Sequence, residues 1–127
     1  MSVEDRLAAA EAAIADLTRQ IGIHQDIEAI RRLQASYCYF MDKGLYDESV
    51  ECFAREGELH FMGGIWRGHE SLRRLYCGRL RNSFTHGVNG PAYGLMCEHW
   101  PSQDVITVAK DRQSAQGRWR CTLMGAQ

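Results

Sequence analysis

The sequence predicts an α+β domain, and three observations carry that prediction. Apolar residues at Ile27, Ile30, Leu33, Tyr37, Phe40 and Met41 recur near the 3.6-residue period of a buried helix face. Glu58 to Met62 and Ile65 to Trp66 flank a Gly63-Gly64 pair, the mark of a short hairpin. From Ala115 to Leu123, small or aromatic residues alternate with polar ones, as along a strand.

The 127 residues suit one domain, with 45% hydrophobic residues and a net charge of −1. Such a balance creates no field that would gather nucleic acid or an anionic membrane. No apolar run reaches the roughly 18 residues of a membrane span, and the N-terminus lacks a basic region followed by an apolar core. The five cysteines, Cys38, Cys52, Cys77, Cys97 and Cys121, form no CxxC. Their apolar surroundings suggest reduced core residues of a cytoplasmic protein, with no zinc site expected.

Val3, Leu7, Ala10, Ile14, Leu17 and Ile21 alternate spacings of four and three, a strict heptad seam in an Ala-rich helix. This helical extension, residues 1–21, packs either on its own domain or on a sister subunit, giving a homodimer or homotrimer. Gly22 is expected to break it, and Asp26 to cap the start of the central helix. Gly44 ends that helix, as glycine does where the chain turns left-handed.

Leu45 to Phe53 reads as a short amphipathic helix with Val50 and Phe53 inward. Gly68 closes the hairpin. His69 to Arg81 then places Leu72, Leu75, Tyr76 and Leu80 at helical spacing, opposite Arg73, Arg74, Arg79 and Arg81. Without an RNA-binding motif or net positive charge, the arginines suit a solvated or intersubunit face. Leu95 to Trp100 and Asp104 to Ala109 read as strand segments joined through Pro101, followed by a hairpin at VAKDRQSA. On the last strand Ala115, Gly117, Trp119, Cys121 and Leu123 share one face.

The run DIEAIRRLQASYCYFMDKGLYDESVECFAREGELHFMGGIWRGHESLRRLY has a recognisable order. A helix ends in Tyr-x4-Asp-x-Gly, a short helix ends in Phe, and an acidic strand opening, a Gly-Gly hairpin and Trp-Arg-Gly precede another helix. In this it resembles the SnoaL-like branch of the nuclear transport factor 2-like superfamily, from about Ile23 to Met124. The resemblance implies a cone-shaped curved antiparallel sheet packed on helices over a deep apolar pocket, within a domain spanning residues 22–127. Scytalone and bile-acid dehydratases, ketosteroid isomerases and polyketide cyclases share that fold, as do binding and assembly proteins. In the family, the strand similar to GRWRCTLMGAQ is followed by one or two more, so the closing strands are expected to be missing from this sequence.

The same resemblance implies the site. The dehydratases' pocket carboxylate corresponds to Asp42, a pocket histidine to His86 and a catalytic tyrosine to Tyr37. The stretch FTHGVNGPAY resembles a strand opening, and Asn89, three residues beyond His86, would share its wall of the pocket and bind substrate. Five residues separate Tyr37 from Asp42, about 140° of helical rotation, so the two share a broad face without stacking. On the residues alone, Asp42 and Lys43 also suit a solvated last turn, His86 suits a structural histidine, and Tyr39 competes with Tyr37 for the pocket.

Facing one hollow, Asp42 and His86 would transfer a proton while the Tyr37 phenol holds a substrate oxygen. An outward-facing His86 would undo that pairing. Tyr93, Trp119 and Trp66 would offer binding surface to a hydrophobic ring. Trp119 stands where scytalone dehydratase has a second histidine, so that two-histidine mechanism is not expected. The long strands are similar to those of SnoaL-like lyases that remove formaldehyde from diaryl lignin fragments.

Two functions follow from the resemblance. One is a cofactor-independent lyase, dehydratase or isomerase acting on a hydroxylated aromatic or polycyclic compound, with no metal. The other is a non-catalytic module of the same fold, used for ligand binding or dimerisation.

Overall fold

The computed structural model describes residues 1–127. Helix α1 runs Val3–Asp42, α2 Tyr46–Glu51, and strands β1 and β2 Glu58–Phe61 and Gly64–Arg67. Then come α3 (Gly68–Arg73), a π-helical turn (Arg74–Leu80), α4 (Arg81–Phe84), and the long strands β3 (Met96–Val108) and β4 (Ala115–Ala126). The fold class is α+β, as expected. The cone is not: β1-β2 and β3-β4 are separate two-stranded antiparallel sheets, and neither closes nor curls. With two hairpins sharing no ladder, there is no continuous sheet to curve.

The chain forms two compact units, Met1–Arg32 with Asp104–Trp119, and Leu33–Gln103 with Arg120–Gln127. In the first unit, α1 passes Gly22 unbroken, which corrects the expected helix break. A glycine in a helix interior costs roughly 1 kcal/mol against alanine. Here it makes room: a Cβ on Gly22 would lie 2.2 Å from the Arg112 guanidinium. That guanidinium bonds Asp26 through both nitrogens, Nε to Oδ2 at 2.7 Å and Nη2 to Oδ1 at 3.0 Å. Asp26 is therefore a mid-helix partner of the β3-β4 turn and not a cap. Arg31 adds a second tie, Nε to Asp104 Oδ2 at 2.8 Å. The turn itself closes where expected, with the Ala109 N–H donating to the Ser114 carbonyl at 2.8 Å.

The second unit holds the core. Tyr46, Val50, Leu72, Leu75, Tyr76 and Leu80 are buried together, with Tyr37, Met41, Phe53, Leu59 and Trp66 packed around them. The four inward positions predicted between His69 and Arg81 are all in this cluster. The opposing arginines are largely paired: Arg73 with Glu51 at 2.8 Å, Arg74 with Glu70 at 3.0 Å, and Arg81 with Asp47 at 2.7 Å.

The β1-β2 hairpin turns one residue earlier than Gly63-Gly64. Its loop is Met62-Gly63, with φ of 51° and 75°, the two positive values of a type I′ turn. Gly64 pairs with Phe61 instead. This register sets Leu59 opposite Trp66 and Glu58 opposite Arg67. The first pair packs on the core, and the second forms an ion pair at 2.8 Å. Strands β3 and β4 are longer than expected, β3 passing through Pro101 without interruption. The cysteines are all free, but only Cys38 is buried and Cys121 is exposed, so the five are not a set of core residues.

Candidate active site

The end of α1 is fixed by a Schellman motif. Gly44, at φ +64°, donates its N–H to the Met41 carbonyl (3.2 Å), and Leu45 donates to Phe40 (2.8 Å). The Gly90 N–H then donates to the Gly44 carbonyl at 3.0 Å, and Thr85, almost fully buried, donates its hydroxyl to the carbonyls of Arg81 and Val88. These bonds make Asp42 the last helical residue and hold the segment after α4 against that helix end.

Asp42 is held by His99 on β3. Its Oδ1 accepts the His99 main-chain N–H at 2.9 Å and lies 2.6 Å from His99 Nδ1. The Asp42 side chain is 7% exposed and that of His99 21%. An ionised carboxylate can only accept, so Nδ1 carries the proton and the lone pair stays on Nε2. Beside this pair is Cys97, two residues before His99 on the strand, with Sγ 3.8 Å from Nδ1.

His99 and Cys97 also line a cavity of about 610 Å³. Met41, Leu80, Phe84, Leu95 and Leu123 make its wall largely apolar, and Tyr46 brings a phenol to it. Burial raises the Tyr46 pKa, with the Cys97 thiol contributing, so this phenol stays protonated and able to donate. The volume suits a drug-sized ring compound. Asp42, Cys97 and His99 also offer ligand atoms within 4.8 Å of one another and could hold a metal ion. The Cys97-x-His99 spacing puts two of these ligand atoms side by side on one strand, where no zinc site was expected.

The expected trio does not assemble. His86 is exposed, at φ 54°, in an irregular segment and not on a strand. With Tyr93 it borders a separate depression of about 260 Å³. Glycines at positions 87, 90 and 94, all with positive φ, keep this stretch out of a sheet. Tyr37 lies in the core, its hydroxyl 2.5 Å from that of Tyr76 and its ring edge-on to Phe53 and Tyr76. Tyr39 is 68% exposed, so neither competing tyrosine lines the cavity.

The expected binding residues are also elsewhere. Asn89 is fully engaged, its Oδ1 accepting from the Asp47 N–H and from Arg81 while its Nδ2 donates to Glu48. Tyr93 projects into solvent. Trp66 packs on the core with its indole N–H buried and unpartnered. Trp119, in the other unit, folds over its own Gly117, where a Cβ would come within 2.5 Å of the ring. The sequence reading therefore missed His99 and Tyr46. The signal for His99 was Cys97-x-His99 alternating on a strand; Tyr46 gave none beyond its place just after a helix stop.

Residues 22–127, which hold both the carboxylate at the foot of the central helix and the apolar cavity, match a known sequence family. The SnoaL-like domain model matches them throughout. The chain belongs to the SnoaL-like family. Within the nuclear transport factor 2-like superfamily, this SnoaL-like domain begins at the residue next to Arg112, inside α1, and takes in all of β1 to β4. No curated protein matches the chain. The SnoaL-like family includes enzymes.

Proposed function

We propose that this SnoaL-like domain is a cofactor-independent lyase, dehydratase or isomerase for a hydroxylated hydrophobic ring compound, with His99 as the proton carrier and Asp42 as its partner. One observation carries the reading: Asp42, nearly buried, holds Nδ1 of a histidine that stands in the wall of an apolar cavity.

His99 Nε2 accepts a proton from the substrate carbon beside the oxygen-bearing one. The imidazolium that forms is stabilised by the Asp42 carboxylate, as in other histidine–carboxylate pairs. Tyr46 donates a hydrogen bond to the substrate oxygen as charge grows on it. In an elimination, the same proton leaves with the hydroxyl as water; in an isomerisation it returns to a second carbon. The apolar wall keeps bulk water from competing for the proton and provides the surface that recognises the ring.

The test is a screen of phenolic and polycyclic alcohols with wild type, His99→Ala and Asp42→Asn, following loss of water or formaldehyde by mass spectrometry and isomer formation by chromatography. The expected result is turnover by wild type that both variants lose while ring compounds still bind. Binding without turnover by wild type would assign the chain to the family's ligand-binding members, and neither binding nor turnover would remove the cavity from the account.

A further inference from the structure

We infer that the first part of α1, Val3 to Ile21, is a two-stranded parallel coiled-coil interface between two copies of this chain. The seam residues Val3, Leu7, Ile14, Leu17 and Ile21 are between 56% and 74% exposed, and Ala10 is exposed with them. So many large apolar side chains in one straight stripe are the pattern of a surface that is covered by a partner.

The unit's own hairpin does not cover it. Arg112 lies over Gly22 and bonds Asp26, and Lys110 and Asp111 border a depression with Arg19. With Leu7, Ile14 and Ile21 at heptad position a and Val3, Ala10 and Leu17 at d, those three helix contacts fall at b and f, on the far side. The seam stops at Ile21 because the next d and a positions are His24 and Glu28. A free peptide with under three heptads would be marginal. Here the helix already exists. Ser2 and Asp5 cap its start by exchanging main-chain-to-side-chain bonds at 3.0 Å each, and it continues to Asp42. Association therefore does not have to nucleate it.

The flanking charges select the occupant and its direction. Arg6 is at g and Glu11 at the e position that faces g in a parallel partner, so a parallel pair gains two Arg6–Glu11 contacts. An antiparallel pair would instead set Glu11 beside Glu11. Ile14 and Ile21 at a, with Leu17 at d, favour two strands.

Sedimentation equilibrium of the full chain tests this. Wild type is expected to be a dimer at tens of micromolar, and Ile14→Asp a monomer that is still folded by circular dichroism at room temperature, since Ile14 is exposed within its own chain. Arg6→Glu and Glu11→Arg should each weaken the dimer on the order of tenfold, and mixing the two variants should restore it. A monomeric or trimeric wild type, or a dimer that survives Ile14→Asp, would overturn the inference. So would single charge reversals without effect, because only the parallel register brings Arg6 to Glu11.

Discussion

Asp42 takes two hydrogen bonds from one residue, the main-chain N–H and the ring Nδ1 of His99, and both reach the same carboxylate oxygen. The main-chain bond fixes where the strand passes, and the ring bond fixes which way the imidazole faces. A helix end and a strand are thereby joined at the point where chemistry would be done.

Asp42→Asn keeps an oxygen that can accept both bonds but removes the charge that steadies an imidazolium. Turnover of any substrate is expected to fall by about 10²- to 10⁴-fold. Thermal stability is expected to stay within about 1 kcal/mol of wild type or to rise, because a nearly buried charge is lost with its geometry intact. Steady-state rates beside melting curves check both halves; a variant as active as wild type would end the role given to this pair.

The hydroxyls of Tyr37 and Tyr76 share one hydrogen bond inside the aromatic cluster. Burial pushes both phenol pKa values up, so both stay protonated. Tyr76→Phe strands the Tyr37 hydroxyl and is expected to cost about 1–2 kcal/mol. Removing both hydroxyls should cost less than the two single changes added together. Urea unfolding of the four proteins in the cycle measures the coupling, and strict additivity would mean that the bond contributes nothing.

Gly44 cannot be replaced cheaply. Its φ is +64°, and an added Cβ would lie 2.6 Å from Thr85 Cγ2 and 2.8 Å from the Gly90 carbonyl oxygen. Gly44→Ala is expected to lose about 2–4 kcal/mol, from the left-handed backbone and the crowding together. Activity should fall at temperatures where the variant is still folded, since the helix end that carries Asp42 would shift. Calorimetry and a rate measurement below the transition test the two parts.

The Arg81 guanidinium beside Asp47 holds its carboxyl below the usual carboxylate range, and a bond from the Cys77 thiol adds to this. A depressed folded-state pKa stabilises the protein above the unfolded value of 3.8 and loses that contribution as pH falls through the lower folded value. The melting temperature of wild type should therefore exceed that of Asp47→Asn at neutral pH, and the gap should close in strong acid. Salt should narrow it too, because the Asp47 carboxylate is exposed. A gap that widened toward acid would contradict the sign.

Local signals were legible in the sequence wherever one physical effect dominated. The stop at Gly44 required only a left-handed residue after a periodic run, and the inward set Leu72, Leu75, Tyr76 and Leu80 required only helical spacing. Gly22 and Asp26 were misread because both mimic helix punctuation. Their actual role depends on Arg112, more than eighty residues downstream, which no local pattern reveals. The site was half legible. Asp42 was named through the family resemblance, at a helix end that by itself also suits a solvated turn, and its partner is set by which strand passes that end. His86 and His99 both fall in stretches that read as strand, and tertiary packing separates the exposed one from the held one. Tyr37 shows the same limit, since a phenol on a buried face can turn to a cavity or to another phenol, and Tyr76 decided it.

The π-helical stretch between α3 and α4 winds through fewer degrees per residue than the helices on either side. In ordinary winding, Leu80 would stand roughly 80° away from Leu72; the slower winding keeps both on the inner side. The helix therefore carries one letter more than its span requires, and that letter sets the aim of everything after it. Shortening it there would swing Arg81 off Asp47 and Asn89 and release the loop that braces the foot of the long rod. Chain length at this point is thus part of the lock, although no single side chain in the stretch performs the locking.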